Sequence, residues 1–115
     1  MLNSVHIIGH LGADPELRQT TAGPRTRITV ATTESWKDGK GGEHEKTEWH
    51  RVVVWGRQAE VVAKRLRKGA RVFVDGKLET SSYDKDGATH HATVIVARAV
   101  TFLDRAPAGG GHAQR

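Results

Sequence analysis

Cysteine is absent from the 115 residues of this chain. That excludes disulfides, thiolate metal sites and a cysteine nucleophile, and it suits a reducing compartment. Long hydrophobic runs are missing as well: nothing approaches the ~20 apolar residues needed to span a bilayer. The opening Met1-Leu2-Asn3-Ser4-Val5-His6 has neither the basic segment nor the apolar run of a secretion signal. A soluble, cytoplasmic protein is expected. Catalytic signatures are just as sparse, with no His-Glu-x-x-His and no Gly-x-Ser-x-Gly. The chain has seven histidines, but His90 and His91 are adjacent and would point to opposite faces of a strand. His6 and His10 would stand ~13 Å apart in an extended chain, too far to share a metal. Gly39, Gly41 and Gly42 lack the strand and helix that frame a phosphate-cradling loop. No enzyme, metal centre or cofactor is expected.

What is present begins with charge. Lysine and arginine outnumber aspartate and glutamate by 18 to 13, a formal charge of +5, which favours a polyanionic partner, nucleic acid or an anionic membrane. A membrane-surface protein would need a basic helix with a broad apolar face. The one good helical stretch is short and reads as a connector. The length suits one domain that buries roughly two thirds of its unfolded surface.

Residues 47–55, Thr-Glu-Trp-His-Arg-Val-Val-Val-Trp, organise the rest. Read as a strand of period two, they place Trp49, Arg51, Val53 and Trp55 on one face, and His50, Val52 and Val54 on the other. Arg51 would be buried without a partner if the tryptophan face turned inward. The valine face therefore serves the core and the indoles face solvent. Along an extended strand the two indoles stand roughly 20 Å apart, enough to meet several nucleotides of a single strand.

The remaining chain supplies short strands. Residues 4–12 put Val5, Ile7 and Leu11 on one face and His6, Ile8 and His10 on the other, followed by a loop that carries Arg18. Residues 25–35 put Ile28 and Val30 inward and Arg27, Thr29 and Ala31 outward. Trp36-Lys37-Asp38 then opens a long two-stranded arm. A helix is expected over 57–68, with Ala59, Val62, Ala63 and Leu66 inward and Gly69 as its stop. Residues 70–79 are expected to place Val72, Val74 and Leu78 inward, and Asp86-Gly87 to mark a hairpin near Tyr83. Residues 90–103 are expected to set Val94, Val96 and Val100 on one face and Ile95, Ala97 and Ala99 on the other. The resulting order, three strands, a helix and two strands, predicts an all-β, five-stranded Greek-key OB-fold barrel over residues 1–103 with one short helix between strands three and four. Residues 104–115, with Pro107 and Gly109-Gly110-Gly111, read as a flexible tail.

Several separated blocks are recognisable in order. Asn3-Ser4-Val5 with Gly9-His10-Leu11-Gly12-Ala13-Asp14-Pro15-Glu16-Leu17-Arg18 is followed by Ile28-Thr29-Val30-Ala31-Thr32 with Glu34-Ser35-Trp36. Thr47-Glu48-Trp49-His50-Arg51, Leu66-Arg67-Lys68-Gly69 and the segment from Val72 to Gly76 complete the set. Together they resemble bacterial single-stranded DNA-binding proteins over roughly residues 3–103. The resemblance implies a homotetramer that wraps single-stranded DNA without sequence preference in replication, recombination and repair, with no cofactor and no catalysis. It implies stacking by Trp36, Trp49, Trp55 and Tyr83. Backbone contacts are implied for Arg18, Thr29, Lys37, Arg51, Arg57 and Lys68, with Arg27 compensating for basic residues that Ser4, Glu79, Ser81 and Ser82 replace. His50 is implied at a subunit interface. The family's acidic, hydrophobic C-terminal tip, which recruits replication and repair proteins, has no counterpart in Gly110-Gly111-His112-Ala113-Gln114-Arg115, so such partners are not expected through that route. A primosomal replication protein B type of the same fold would lack most of these tryptophans. An RNA-binding OB domain would need a way of reading the 2′-hydroxyl, and none is visible.

Overall fold

The computed structural model describes residues 1–104, apart from the side chains of Ser81 and Tyr83. Residues 105–115, expected from the sequence to form a flexible tail, lie outside the described residues. The elements are β1 (Val5–Leu11), β2 (Glu16–Thr20), β3 (Gly23–Lys37), β4 (Glu43–Trp55), α1 (Arg57–Arg65), β5 (Arg71–Lys85) and β6 (Ala88–Phe102). They form one sheet of order β1-β5-β6-β4-β3-β2, which β1 closes by pairing back onto β3 at His10 and Leu11. Gly12 to Pro15 interrupt what is otherwise a single first strand, so β1 and β2 both lie along β3 and the ring counts five strands. This is the expected OB-type architecture. The segment expected as a loop is β2, which pairs Glu16 through Thr20 with Gly23 through Arg27 of β3. Its one apolar residue, Leu17, is exposed, so it carries no hydrophobic alternation by which to recognise it.

Alternation decides what goes inside. Leu11, Ile28, Val30, Val52, Val54, Val72, Val74 and Ile95 fill the ring, and Ala59, Val62 and Leu66 of the helix and its end close it. The fully buried Thr26 donates its hydroxyl to the Ala59 carbonyl at 2.9 Å, tying β3 to the helix without leaving a polar group unpaired. The helix is shorter than expected, ending at Arg65 with Leu66 extended. There the Arg67 guanidinium donates to the carbonyls of Ala63 and Leu66, at 3.2 and 2.7 Å, satisfying acceptors that the last turn leaves open.

Two expectations are corrected. Leu78 is exposed rather than inward, and Val100 packs toward the core with Ile95 and Ala97 rather than sharing a face with Val94 and Val96. The cause of the second is a bulge. Asp75 pairs with Ala99 but Gly76 with Ala97, which leaves Arg98 as the extra residue. One inserted residue reverses the inside–outside parity of its strand, so Ile95 and Ala97 point in before it and Val100 and Phe102 after it. Arg98 is held there by the carbonyls of Gly76 (2.9 Å) and Asn3 (2.7 Å). Past the bulge β5 and β6 leave the ring as a two-stranded ribbon that turns at Asp86 (φ 54°) and Gly87 (φ 78°), the paired left-handed turn that Asp-Gly favours. Leu78 lies where the ribbon departs, with the Asn3 side chain bonded to both its N–H and its carbonyl.

The difference between the two facing residues is testable by thermal or urea unfolding. Ile95→Ala is expected to cost about 2–4 kcal/mol, and Leu78→Ala less than about 1 kcal/mol. Equal losses would contradict the burial of Ile95 beside an exposed Leu78.

Candidate nucleic-acid interface

β3 and β4 pair without a register break from Arg25 opposite Trp55 to Lys37 opposite Glu43. Odd positions of both strands therefore share a face. Ile28, Val30, Val52 and Val54 are inside, so the odd face is outside, and Arg25, Arg27, Thr29, Trp49, Arg51 and Trp55 gather on it. Arg18 joins them from β2, directly opposite Arg25. Trp49 is 60% exposed and Trp55 39%, as the alternation argument requires. Of the residues on this face, Arg25, Arg27, Thr29, Arg51 and Trp55, with Val53, Val94 and Val96, line a groove of about 710 Å³ whose floor is apolar and whose β3 and β4 side is cationic.

Each indole is seated by something specific. A Cβ on Gly12 would collide with the Trp49 ring, so glycine at the end of β1 is what lets that indole lie flat across the strand. Gly12 is itself pinned by its N–H to the Thr29 carbonyl at 2.9 Å. The Arg25 guanidinium sits 5.9 Å from the Trp55 ring centroid, a cation–π contact. Among the described residues its buried Nε has no hydrogen-bond partner. Arg25 is absent from the residues singled out in the sequence, although it continues the period-two series of Arg27 and Thr29 by one step.

The other expected site residues are dispersed. Trp36 occupies an even position and falls on the opposite face of the β3–β4 ribbon, beyond the ring. It stacks on its cross-strand partner His44 at 5.6 Å between centroids and 22° between planes. His44 in turn is bonded to the Asp38 carboxylate at 2.8 Å. The hydrogen bond from His44, with those from the Gly42 and Lys40 N–H groups, holds the Asp38 carboxyl below its ordinary value. Lys37 ends the odd face at the same tip. Arg57 opens the helix and lines a separate groove with Gln58, Val61, Val100 and Phe102. Lys68 lies in the turn after the helix, its N–H bonded to Asp14 at 2.7 Å, two residues from the Gly12 that carries Trp49. His50 is half-buried on the inner parity, bonded to the Thr32 hydroxyl at 2.9 Å, and borders a recess of about 340 Å³ with Leu78 and Ile95. The backbone of Tyr83 pairs with His90 in the β5–β6 ribbon; its side chain, on which the stacking role rests, is outside the described residues. Among the described residues no three of His, Cys, Asp and Glu are grouped to hold a metal, and no helix is long and apolar enough to cross a membrane.

Residues 2–103 match the model of the single-strand binding protein family. The chain belongs to this family. Among single-strand binding proteins it is 44% identical to single-stranded DNA-binding protein 1 of Chlorobaculum tepidum over 113 residues, 96% of this chain and 70% of that one. It is 43% identical to single-stranded DNA-binding protein 1 of Xylella fastidiosa over 107 residues, 90% of this chain and 79% of that one. Its structure is similar to that of the Plasmodium falciparum SSB in complex with single-stranded DNA, with a TM-score of 0.81 and 32% identity, covering 90% of this chain and 96% of that one.

The hairpin tip yields a pH prediction. A carboxyl held below its ordinary value contributes order that is complete above 3.8 and is lost as pH falls through the lowered value. The amide resonances of Lys40 and Gly42 are therefore expected to titrate with a midpoint below 3.8. A midpoint at or above that value would contradict the Asp38 network.

Proposed function

We propose that this chain binds single-stranded DNA without strong sequence preference through the outer face of β2, β3 and β4, and performs no chemistry. The observation that carries the reading is that this face exposes two indoles among arginines that have almost no carboxylate to neutralise them. Among the described residues the side chains of Arg25, Arg27 and Arg51 make no hydrogen bond or ion pair, and Arg18 has only Glu16 at 4.0 Å between two exposed groups, a contact worth little. Unpaired guanidiniums neutralise phosphates and release counterions, while indoles stack on bases at about 1–3 kcal/mol each. Every base has a ring face, so sequence matters little. Family membership and the fold shared with an SSB solved in complex with single-stranded DNA support the same reading.

Trp49 and Trp55 are the principal stacking residues, with Trp36 and Tyr83 extending the path along the two hairpin ribbons. Arg18, Arg25, Arg27 and Thr29 hold phosphates on the central face, with Arg51 between the two indoles. Lys37, Arg57 and Lys68 contact the strand where it leaves that face. The working form is a homotetramer with His50 at a subunit contact, and the exposed apolar Ile8 and Leu78 supply surface for such contacts. Four faces on one assembly let a single strand wind around it, each engaged face raising the effective concentration at the next. The protein serves replication, recombination and repair in the cytoplasm, at the nucleoid.

Fluorescence titration with oligo(dT) tests the stacking and charge roles separately. Trp49→Ala and Trp55→Ala are each expected to weaken binding by about 1–3 kcal/mol without loss of fold. Arg27→Glu is expected to weaken all homopolymers alike and to flatten the log–log salt dependence by about 0.7 for each phosphate that is no longer neutralised. Unchanged affinity in both tryptophan variants would overturn the assignment of this face.

A further inference from the structure

The groove beside Trp55 is not uniformly cationic. Glu79 of β5 lines it from the side opposite the arginines, and the strand register fixes where. Thr29 is opposite Arg51, Val52 and Val53 pair in parallel with Ile95 and Val96, and Val94 is opposite Glu79. Continuing the parallel register by one residue sets Arg51 beside Val94. A single row therefore runs Thr29, Arg51, Val94, Glu79 across four strands. Arg51 and Glu79 stand two strand spacings apart, about 10 Å at the backbone, with the Val94 side chain between them as floor. Neither makes a hydrogen bond or an ion pair among the described residues. A cation and an anion thus face each other across an apolar strip, and each is left with open hydrogen-bonding capacity.

We propose that this strip is a base subsite that prefers guanine, set within a face that otherwise ignores sequence. The inference rests on the proposed DNA-binding role of that face. Guanine carries two acceptors, O6 and N7, on one edge, which match a guanidinium bidentately. The adjoining Watson–Crick edge, which meets the first at O6, carries N1–H and the N2 amino group, two donors that match a carboxylate. The base lies flat on Val94 and presents its acceptor edge to Arg51 and its donor edge to Glu79. Adenine places its amino donor beside N7, toward the guanidinium. Thymine offers the carboxylate one donor, and cytosine one amino group. Burying Glu79 against any base without two donors leaves the carboxylate underbonded, a cost that falls on the wrong bases. Glu79 is therefore a specificity-determining residue, while the stacking and phosphate contacts that bind every base are unaffected by it.

The test uses the full chain and a dT octamer, alone or with one central dG, dA, dC, deoxyinosine or 7-deaza-dG, read by fluorescence anisotropy. One dG is expected to tighten binding on the order of three- to tenfold, a discounted share of what a buried bidentate pair yields at this exposed site. The dA and dC oligomers are expected to gain less than about twofold. Deoxyinosine, lacking the N2 amino group, and 7-deaza-dG, lacking N7, are each expected to lose most of the gain. In Glu79→Gln the dG advantage is expected to vanish while the all-dT octamer binds at least as well as before. A gain from dA equal to that from dG would reduce the effect to stacking area and overturn the proposal. So would a gain from dC matching dG, or a dG advantage that survives in Glu79→Gln. If the all-dT octamer fails to bind, or binds unchanged to Trp55→Ala, the reading of the face fails and this subsite with it. If it binds through Trp55 and dG adds nothing, the guanine subsite alone is wrong.

Discussion

One strand cannot bury both of its faces against one small core, and in β4 that constraint sorts the whole molecule. Val52 and Val54, both essentially inaccessible, take the inside. Trp49, Arg51 and Trp55 must then be outside, whatever the cost of exposing two indoles. Because β3 pairs with β4 in unbroken register, its own alternation is locked to the same choice: Ile28 and Val30 go in, and Arg25, Arg27 and Thr29 go out. The core and the interface are the two sides of one ribbon. A change that slipped the register by one residue would turn every arginine inward and every valine outward.

The outer face is proposed to bind because its cations have so little to neutralise them. Elsewhere the chain pairs charges readily, as in Arg98 with Asp75 near the bulge, or Lys46 with Glu48 on the ribbon. On the face between β2 and β4, among the described residues, the only carboxylate in contact with an arginine is Glu16. The acidic group that does enter the groove, Glu79, stands across an apolar floor rather than against a guanidinium. The proposed face is thus broadly attractive to a polyanion, and the proposed subsite at Glu79 would add local discrimination.

Most of the ring was legible in the sequence, because alternating valines and isoleucines state plainly which side of a strand is wet. What was not legible came from single-residue events. Arg98 bulges, and no composition cue marks it; its effect is to put Val100 on the inner side with Ile95 and Ala97, where fixed alternation groups it with Val94 and Val96. Leu78 reads as core by parity yet lies where two strands leave the ring. β2 hides because its ladder is held by backbone bonds and its side chains are mostly polar. In the interface, Trp49, Trp55 and Arg51 follow from alternation alone. Trp36 keeps the wrong parity for that face and instead stacks on His44, a relation that needs the cross-strand register. Arg25 follows the same period as Arg27, yet nothing short of the Arg25–Trp55 pairing singles it out.

The central claim is that the odd face of β3 and β4 is where the strand lies. Photocrosslinking of a 5-bromouracil-substituted oligonucleotide to the full chain, with the adducts mapped by mass spectrometry, tests it most directly. Adducts are expected on Trp49 and Trp55 and on peptides of β3 that carry Arg25 and Arg27. Adducts confined to the helix or to β1, with both tryptophans unmodified at saturating DNA, would contradict it.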